Sequence, residues 1–181
     1  VDAKARVPEY QSTSARKRLR DLAVSGAEIA AGRTRGKVAL FAPCYCDHSE
    51  PGVVEDLAAI LQHNDIPTRL VEQEACCGMP KLELGDLQTV KKYKERNIPV
   101  LAKMARDGWD FTAAIPSCVL MFKQELPLMF PDDADVALVR DHFFDPFEYL
   151  ADRHRADLLK TDFKVSLGKV AWQVPCHQRV Q

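Results

Sequence analysis

The sequence lacks several features that assign a chain directly to a common functional class. None of its apolar runs approaches the roughly 20 residues that a membrane-spanning helix needs. No positively charged start leads into an apolar stretch, so the sequence gives no sign of a signal peptide. No glycine-rich loop follows a predicted strand, so nucleotide binding has no support. The net charge is only −1, and nothing in it favours a nucleic-acid partner.

What the chain does have is an ordinary globular composition and six cysteines. Its 181 residues, 46% hydrophobic and 28% charged, suit one domain with a full core, or one domain plus part of a second. Without an export signal, six cysteines argue against a disulfide scaffold. In a reducing cytosol such cysteines more often bind metal, perform catalysis or are buried. Their spacing has to decide among these roles.

The first 36 residues are basic. Up to Lys37 the chain has nine Lys and Arg residues against four acids, which leaves about −6 for the remainder. Ser14 is a suitable cap for a helix reaching Gly32, and the glycines of Gly32–Gly36 then indicate a linker. This basic arm either touches a partner or a membrane surface, or it is a solvated linker helix. The second interpretation is favoured.

After the arm, predicted strands alternate with predicted helices. Such alternation indicates an α/β fold with a parallel sheet, flanking helices and right-handed crossovers. In these sheets, functional residues collect just beyond the carboxyl ends of the strands. The predicted strands are 38–42, 68–72, 111–115, 136–139 and 169–174, and the predicted helices are 51–64, 84–96, 99–106, 119–126 and 146–154.

Three of these strands are each followed by cysteine. Cys44 follows the first strand, the pair Cys76–Cys77 follows the second, and Cys118 follows the third. A disulfide between adjacent cysteines would strain the backbone, but their two thiolates can ligate two metal atoms of one multinuclear cluster. Four thiolates also suit a structural zinc ion, and burial as small apolar residues is a further alternative. The arrangement at the strand ends favours a metal site.

A short internal repeat extends the pattern. Residues 37–44 (KVALFAPC) and 169–176 (KVAWQVPC) are identical at five of eight positions. The repeat predicts three parts: a basic linker or helix at 1–36, a complete cysteine-rich unit at 37–167, and the beginning of a second unit at 168–181. Cys176 would then belong to a second metal site. We expect the chain to be an internal piece of a longer protein.

The series Cys44…Cys76-Cys77-Gly78…Cys118 resembles the cysteine-rich CCG domain of iron–sulfur proteins such as the B component of heterodisulfide reductase. Residues 75–80 (ACCGMP) and 116–121 (PSCVLM) are most similar to the C component of anaerobic glycerol-3-phosphate dehydrogenase. The resemblance covers roughly residues 37–181. It implies a cytoplasmic electron-transfer subunit, itself not catalytic, that binds a [4Fe–4S]-type cluster through Cys44, Cys76, Cys77 and Cys118.

The same resemblance implies partners. These are a flavoprotein dehydrogenase that oxidises glycerol 3-phosphate or a 2-hydroxy acid, a membrane quinone or similar acceptor, and ferredoxin-like and second CCG regions of the same protein. Contact with the membrane would be made through partner subunits. No nucleic acid is implied.

One departure from the family leaves alternatives open. The fuller pattern ends in Cys-x-x-Cys, and here the last position is Met121, whose thioether is a weaker ligand than a thiolate. A five-cysteine cluster is thus disfavoured, a four-thiolate site is retained, and Cys46 is a candidate substitute ligand. A structural zinc or scaffold domain that docks partner subunits is the alternative function. A thiol redox enzyme using Cys76–Cys77 is less favoured.

Overall fold

A four-stranded parallel sheet lies at the centre of the computed structural model, which describes residues 9–72 and 74–181. Helices flank this sheet, so the predicted α/β fold is confirmed. The strand order is β2-β1-β3-β4. The strands are β1 (Val38–Leu40), β2 (Thr68–Leu70), β3 (Asp110–Thr112) and β4 (Phe143–Phe144).

Strand β1 is central and wholly buried. Its Leu40 lies opposite Leu70 of β2 and Thr112 of β3, and every pairing is parallel. This register brings the carboxyl ends of three strands to one edge of the sheet, and the loops that leave these ends therefore start side by side.

The core has two layers because successive residues of a strand point to opposite faces. Ala39 and Phe41 pack on one face with Phe111 and helix α5, whereas Val38 and Leu40 pack on the other with helix α3. The helices are α1 (Ala15–Arg18), α2 (Cys44–His48), α3 (Pro51–His63), α4 (Met79–Glu83), α5 (Leu87–Arg106), α6 (Pro116–Leu120), α7 (Leu126–Met129), α8 (Ala134–His142), α9 (Pro146–Arg155) and α10 (Cys176–Arg179), with a π-helical turn at Met121–Glu125 between α6 and α7.

The strand predicted at 136–139 is wrong, because these residues lie in α8. The Asp133 side chain caps this helix by accepting the N–H groups of Asp135 and Val136. Val136 and Val139, three positions apart, are the buried residues of the helix, as one apolar helical face requires. The fourth strand is β4, which follows directly.

Two proline positions also differ from expectation. Helix α5 continues through Pro99, although the sequence predicts breaks at Asn97 and Pro99, and the helical segment after Cys118 continues past Pro127 to Met129. An interior proline removes one hydrogen bond and costs about 3 kcal/mol. Burial of much of the inner face of α5 offsets this cost. The buried residues of α5 are Val90, Asn97, Ile98, Leu101, Ala102, Met104 and Ala105.

The basic arm is not the long helix that the sequence predicts. Helix α1 covers only Ala15–Arg18, and residues 1–8 lie outside the described part of the chain. Most arm cations with described side chains are paired with acids, so the arm is attached to the domain rather than a free basic surface. These pairs are Arg16–Glu74, Arg18–Glu55, Arg20–Asp21, Arg33–Glu148 and Lys37–Glu28.

The strand predicted at 169–174 is also wrong. Within the described residues this segment pairs with no other strand, and Val170 and Trp172 are exposed. A strand requires a neighbouring backbone to form its hydrogen-bonded ladder, and this segment has none. The division into units at 37–167 and 168–181 stays a prediction.

Candidate metal centre at the cysteine edge

Three loops at the carboxyl edge of the sheet bring four cysteine thiols together. Cys44 begins α2 after β1, Cys76 and Cys77 lie between β2 and α4, and Cys118 lies in α6 after β3. The Sγ atoms of Cys44 and Cys76 are 3.9 Å apart. The thiols of Cys76 and Cys118 interact with the Cys77 thiol and raise its pKa. The four sulfurs therefore form a continuous series, as the strand ends predicted.

This series runs from the surface into the core. Cys44 is exposed and Cys76 is half-buried, whereas Cys77 and Cys118 are only 4% and 6% exposed. All four are free thiols. A group bound to them would have a buried side toward Cys77 and Cys118 and an open side toward Cys44.

The thiols do not share one charge state. Hydrogen bonds from the thiols of Cys44 and Cys77, together with the Gly78 N–H, lower the pKa of Cys76. The hydrogen bond to Cys76 raises the pKa of Cys44. Hydrogen bonds with Cys118 and Cys76, followed by burial, raise the pKa of Cys77. The site thus favours the thiolate of Cys76 and the protonated thiols of Cys44 and Cys77, and a metal that binds the latter two must displace their protons.

Backbone N–H groups favour the thiolate form of three of the cysteines. The N–H of Tyr45 acts to lower the pKa of Cys44, that of Gly78 the pKa of Cys76 and that of Met79 the pKa of Cys77. The turn that allows the last two has Gly78 at φ 101°, in the left-handed region. A Cβ atom on Gly78 would lie 3.5 Å from the Met121 methyl carbon, an ordinary contact. The positive φ, rather than lack of space, is what favours glycine here.

Met121 therefore lies at the site. Its side chain is fully buried and packs beside the Cys76–Cys77–Gly78 turn. The position where the family pattern ends in cysteine thus packs beside the double-cysteine turn, with a thioether in place of a thiolate.

The two remaining cysteines differ in placement. Cys46 is buried in α2, and burial, the neighbouring Cys118 and Glu74 raise its pKa to about 12. Cys176 is exposed in α10, and no thiol contact connects it to the others in the part of the chain described by the structure. Its neighbour His177 is 2.7 Å from the Ser117 hydroxyl.

Asn97, predicted only as a helix breaker, holds the double-cysteine loop. Its Oδ1 accepts the Ala75 N–H at 2.7 Å, and its Nδ2 donates to the Cys76 carbonyl at 3.1 Å. Asn97 is 2% exposed. An asparagine inside a helix gives no sequence signal of this contact, because the loop it holds is 21 residues earlier in the chain.

Glu74 is a second residue that the sequence did not single out. Its side chain is 2% exposed, and Arg16 Nη2 lies 2.5 Å from its Oε1. Burial, opposed by Arg16, raises the pKa of Glu74 to about 7. In the sequence, its position two residues before Cys76 is the only feature that relates Glu74 to the site.

Four thiols can hold either an iron–sulfur cluster or a single zinc ion. Among residues 9–72 and 74–181, no three His, Cys, Asp or Glu side chains converge closely enough to hold one metal ion. The 3.9 Å separation of Cys44 and Cys76 is near the ~3.8 Å sulfur–sulfur edge that tetrahedral Zn–S bonds give, but this accounts for only two ligands. Four thiols with N–H donors to three sulfurs suit a cluster whose irons each take one thiolate.

Comparison with known proteins agrees with this geometry. Residues 38–123 match the family model of the cysteine-rich domain called CCG, a span that contains Cys44, Cys76, Cys77 and Cys118. Residues 38–123 are thus a CCG-type cysteine-rich domain. The CCG match ends before Cys176 and begins after the basic arm. No solved structure matches the chain.

Several curated proteins are similar to this chain. The C component of anaerobic glycerol-3-phosphate dehydrogenase from Escherichia coli (strain K12) is 24% identical over 98% of this chain and 43% of its own length. The B component of fumarate reductase (CoM/CoB) from Methanothermobacter marburgensis is 26% identical over 78% of this chain and 26% of its own length. Lactate utilization protein A from Bacillus cytotoxicus is 27% identical over 78% of this chain and 57% of its own length. The chain thus spans between a quarter and about three fifths of these relatives.

None of the helices described here is both long and apolar enough to cross a bilayer.

Proposed function

We propose that this CCG chain is an iron–sulfur electron-transfer part of a multi-subunit oxidoreductase. It would hold one [4Fe–4S]-type cluster through Cys44, Cys76, Cys77 and Cys118. The observation that carries the proposal is the continuous series of four free thiols at one sheet edge. The cluster would supply one-electron transfer, and the chain itself would not catalyse the oxidation of a substrate.

The residues around the thiols have separate tasks in this proposal. Burial of Cys77 and Cys118 keeps water away from the inner side, and the N–H groups of Gly78 and Met79 stabilise negative charge on sulfur. Both effects set the reduction potential of a bound cluster. Exposed Cys44 leaves the outer side open, where a partner can approach closely enough to exchange electrons.

The relatives support a role in a larger complex, since two of them are named as subunits of a dehydrogenase and a reductase. We propose a flavoprotein dehydrogenase for glycerol 3-phosphate or a 2-hydroxy acid as electron donor, and a quinone or similar acceptor. Ferredoxin-like and second CCG regions would complete the protein, with Cys176 in the second site. The complex would be cytoplasmic and reach the membrane through its partners.

Anaerobic purification tests the cluster. The expected result is a brown protein with broad visible absorption and about four irons and four sulfides per chain, as a [4Fe–4S] cluster requires. A colourless protein with one stoichiometric zinc ion would contradict the proposal. That result would support the structural zinc or scaffold alternative, which the 3.9 Å pair and Met121 favour.

Replacement of one thiol tests the ligand assignment. Cys77→Ser should remove most of the iron, because a hydroxyl is a poor iron ligand and Cys77 links Cys76 to Cys118. Cys176→Ser is the matched control and should keep the wild-type iron content, since no thiol contact joins Cys176 to the four thiols in the described residues. Equal iron content in both variants would show that Cys77 is not a ligand.

A further inference from the structure

The basic arm reaches the cysteine edge through one side chain. Arg16 is in α1, outside the segment that matches the CCG model. Its Nη2 atom lies 2.5 Å from Glu74 Oε1 and donates to the Val71 carbonyl at 2.5 Å. Val71 directly follows β2 in the sequence, so the guanidinium binds both ends of the loop segment that leads to Cys76.

Glu74 extends this contact to the first cysteine loop. Both of its carboxylate oxygens accept the Ala42 N–H at 3.1 Å, and Ala42 lies two residues before Cys44. The side chain of Glu74 is 2% exposed, so water cannot replace its partners. One buried carboxylate therefore joins the loop of Cys44 to the loop of Cys76, and Arg16 neutralises it.

The backbone of Arg16 makes a third connection. Its N–H donates to Asp47 Oδ1 at 2.8 Å, and Asp47 is a buried residue of α2, one position after Cys46. Arg16 thus contacts segments on both sides of the Cys44–Cys76 pair. Arg18, Arg20 and Arg33 pair with carboxylates of α3, of the arm itself and of α9, away from the thiols.

We infer that Arg16 is a positioning residue of the cysteine site, which acts through Glu74 to fix the separation of the Cys44 and Cys76 loops. It also adds a fixed positive charge beside a group of thiolates. The first role concerns the metal-free protein as well. The second rests on the proposed function, because it requires a bound cluster.

Thiol alkylation of the reduced, metal-free full chain tests the first role. Iodoacetamide labelling with peptide mapping would give the rate at each cysteine. In Arg16→Gln, Cys44 and Cys76 should react at least about fivefold faster, because the unpaired Glu74 no longer holds their loops together. Cys118 should stay within about twofold of wild type, since its helix does not contact Arg16. Arg16→Lys should be intermediate, because an ammonium keeps the charge but lacks the planar fork.

Arg18→Gln is the matched control, since Arg18 is in the same helix but pairs with Glu55 at 3.0 Å. Its labelling rates should equal those of wild type. Wild-type rates at Cys44 and Cys76 in Arg16→Gln would overturn the proposal, and so would equal acceleration at Cys118, which would indicate general loosening. If Arg16→Gln does not fold, the same comparison in Arg16→Lys decides.

The reduction potential tests the second role. Loss of the Arg16 charge should make the potential of the loaded protein more negative, while Arg16→Lys and Arg18→Gln should keep it near wild type. An unchanged potential in Arg16→Gln would refute the charge effect. If the wild-type chain takes up no iron and sulfide, the proposed function fails, yet the labelling pattern still decides whether Arg16 positions the loops.

Discussion

At the scale of single residues, the site depends as much on its supports as on its thiols. The thiols of Cys44 and Cys77 and the Gly78 N–H lower the pKa of Cys76, whereas Cys77 and Cys118 have little exposure to water. Asn97 and Glu74 then hold the loops in which these cysteines lie. None of the supports is a candidate ligand, so their loss should change the site without removing a sulfur.

Asn97→Ala should destabilise the protein and loosen one loop. The Ala75 N–H and the Cys76 carbonyl would lose their buried partner, which costs about 2 kcal/mol of unfolding free energy. Urea denaturation of the metal-free protein measures this loss. Labelling of Cys76 should become faster at the same time.

Asn64→Ala is a matched control for this change. Asn64 is also a buried asparagine, and its side chain bonds the Ile60 carbonyl and the Lys160 N–H far from the thiols. Its loss of stability should be similar, with no change in Cys76 labelling. If both variants label Cys76 at the same rate, Asn97 has no special role at the site.

At the scale of elements, helix α8 depends on its cap. Asp133 accepts two N–H groups at the start of the helix, and a hydrogen bond from Lys94 of α5 lowers its pKa. Asp133→Ala should reduce the unfolding free energy by about 1 kcal/mol at neutral pH. Denaturant melts of wild type and variant would measure the difference.

The pH dependence of that difference has a definite sign. Because the folded pKa of Asp133 is below its ordinary 3.8, the folded state binds this proton less readily than the unfolded state. The stabilisation is complete above the ordinary pKa and is lost as pH falls through the lower, folded value. The gap between wild type and Asp133→Ala should therefore close toward acid; a gap that widens below pH 3.8 would contradict the assignment.

The elements also show what sequence could predict. The apolar run beginning at Val38 and the helix beginning at Pro51 were correct because local pattern and burial agree. The strand predicted at 136–139 is wrong because the spacing of Val136 and Val139 fits a strand or a helix. Only packing against α5 selects the helix. The helix break predicted at Pro99 is wrong, because burial of one face of the 20-residue helix α5 outweighs the cost of a proline inside a helix.

The site was predictable in part, because the positions of its cysteines follow from the strand pattern. Parallel strands align their carboxyl ends, so cysteines after three strands were expected to meet, and Cys44 and Cys76 lie 3.9 Å apart. Arg16 and Asn97 were not predictable, since their contacts cross 55 and 22 residues of chain and follow no motif.

At the scale of the whole molecule, one stretch of surface is unusually apolar. Phe163 and Leu167 are 82% and 81% exposed, and Val165 between them is 73% exposed. Contiguous apolar surface of this kind binds hydrophobic dyes, whereas single exposed residues do not. Lysines flank the three apolar residues.

The paired change Phe163→Ser and Leu167→Ser should reduce the fluorescence of the dye ANS by about half. The unfolding free energy should change by less than about 0.5 kcal/mol, because these side chains have few contacts to lose. Leu84→Ser with Leu128→Ser, two isolated exposed leucines, is the control and should leave dye binding unchanged. Equal effects of the two pairs would show that the stretch is not a continuous surface.

The position of β1 between β2 and β3 has a consequence for the protein during its synthesis. Cys44 leaves the ribosome 74 residues before Cys118, and the two can meet only after β3 has joined β1. A cluster-delivery system that acted on the emerging chain would find at most three of the four thiols. Loading with metal should therefore follow translation of the third strand.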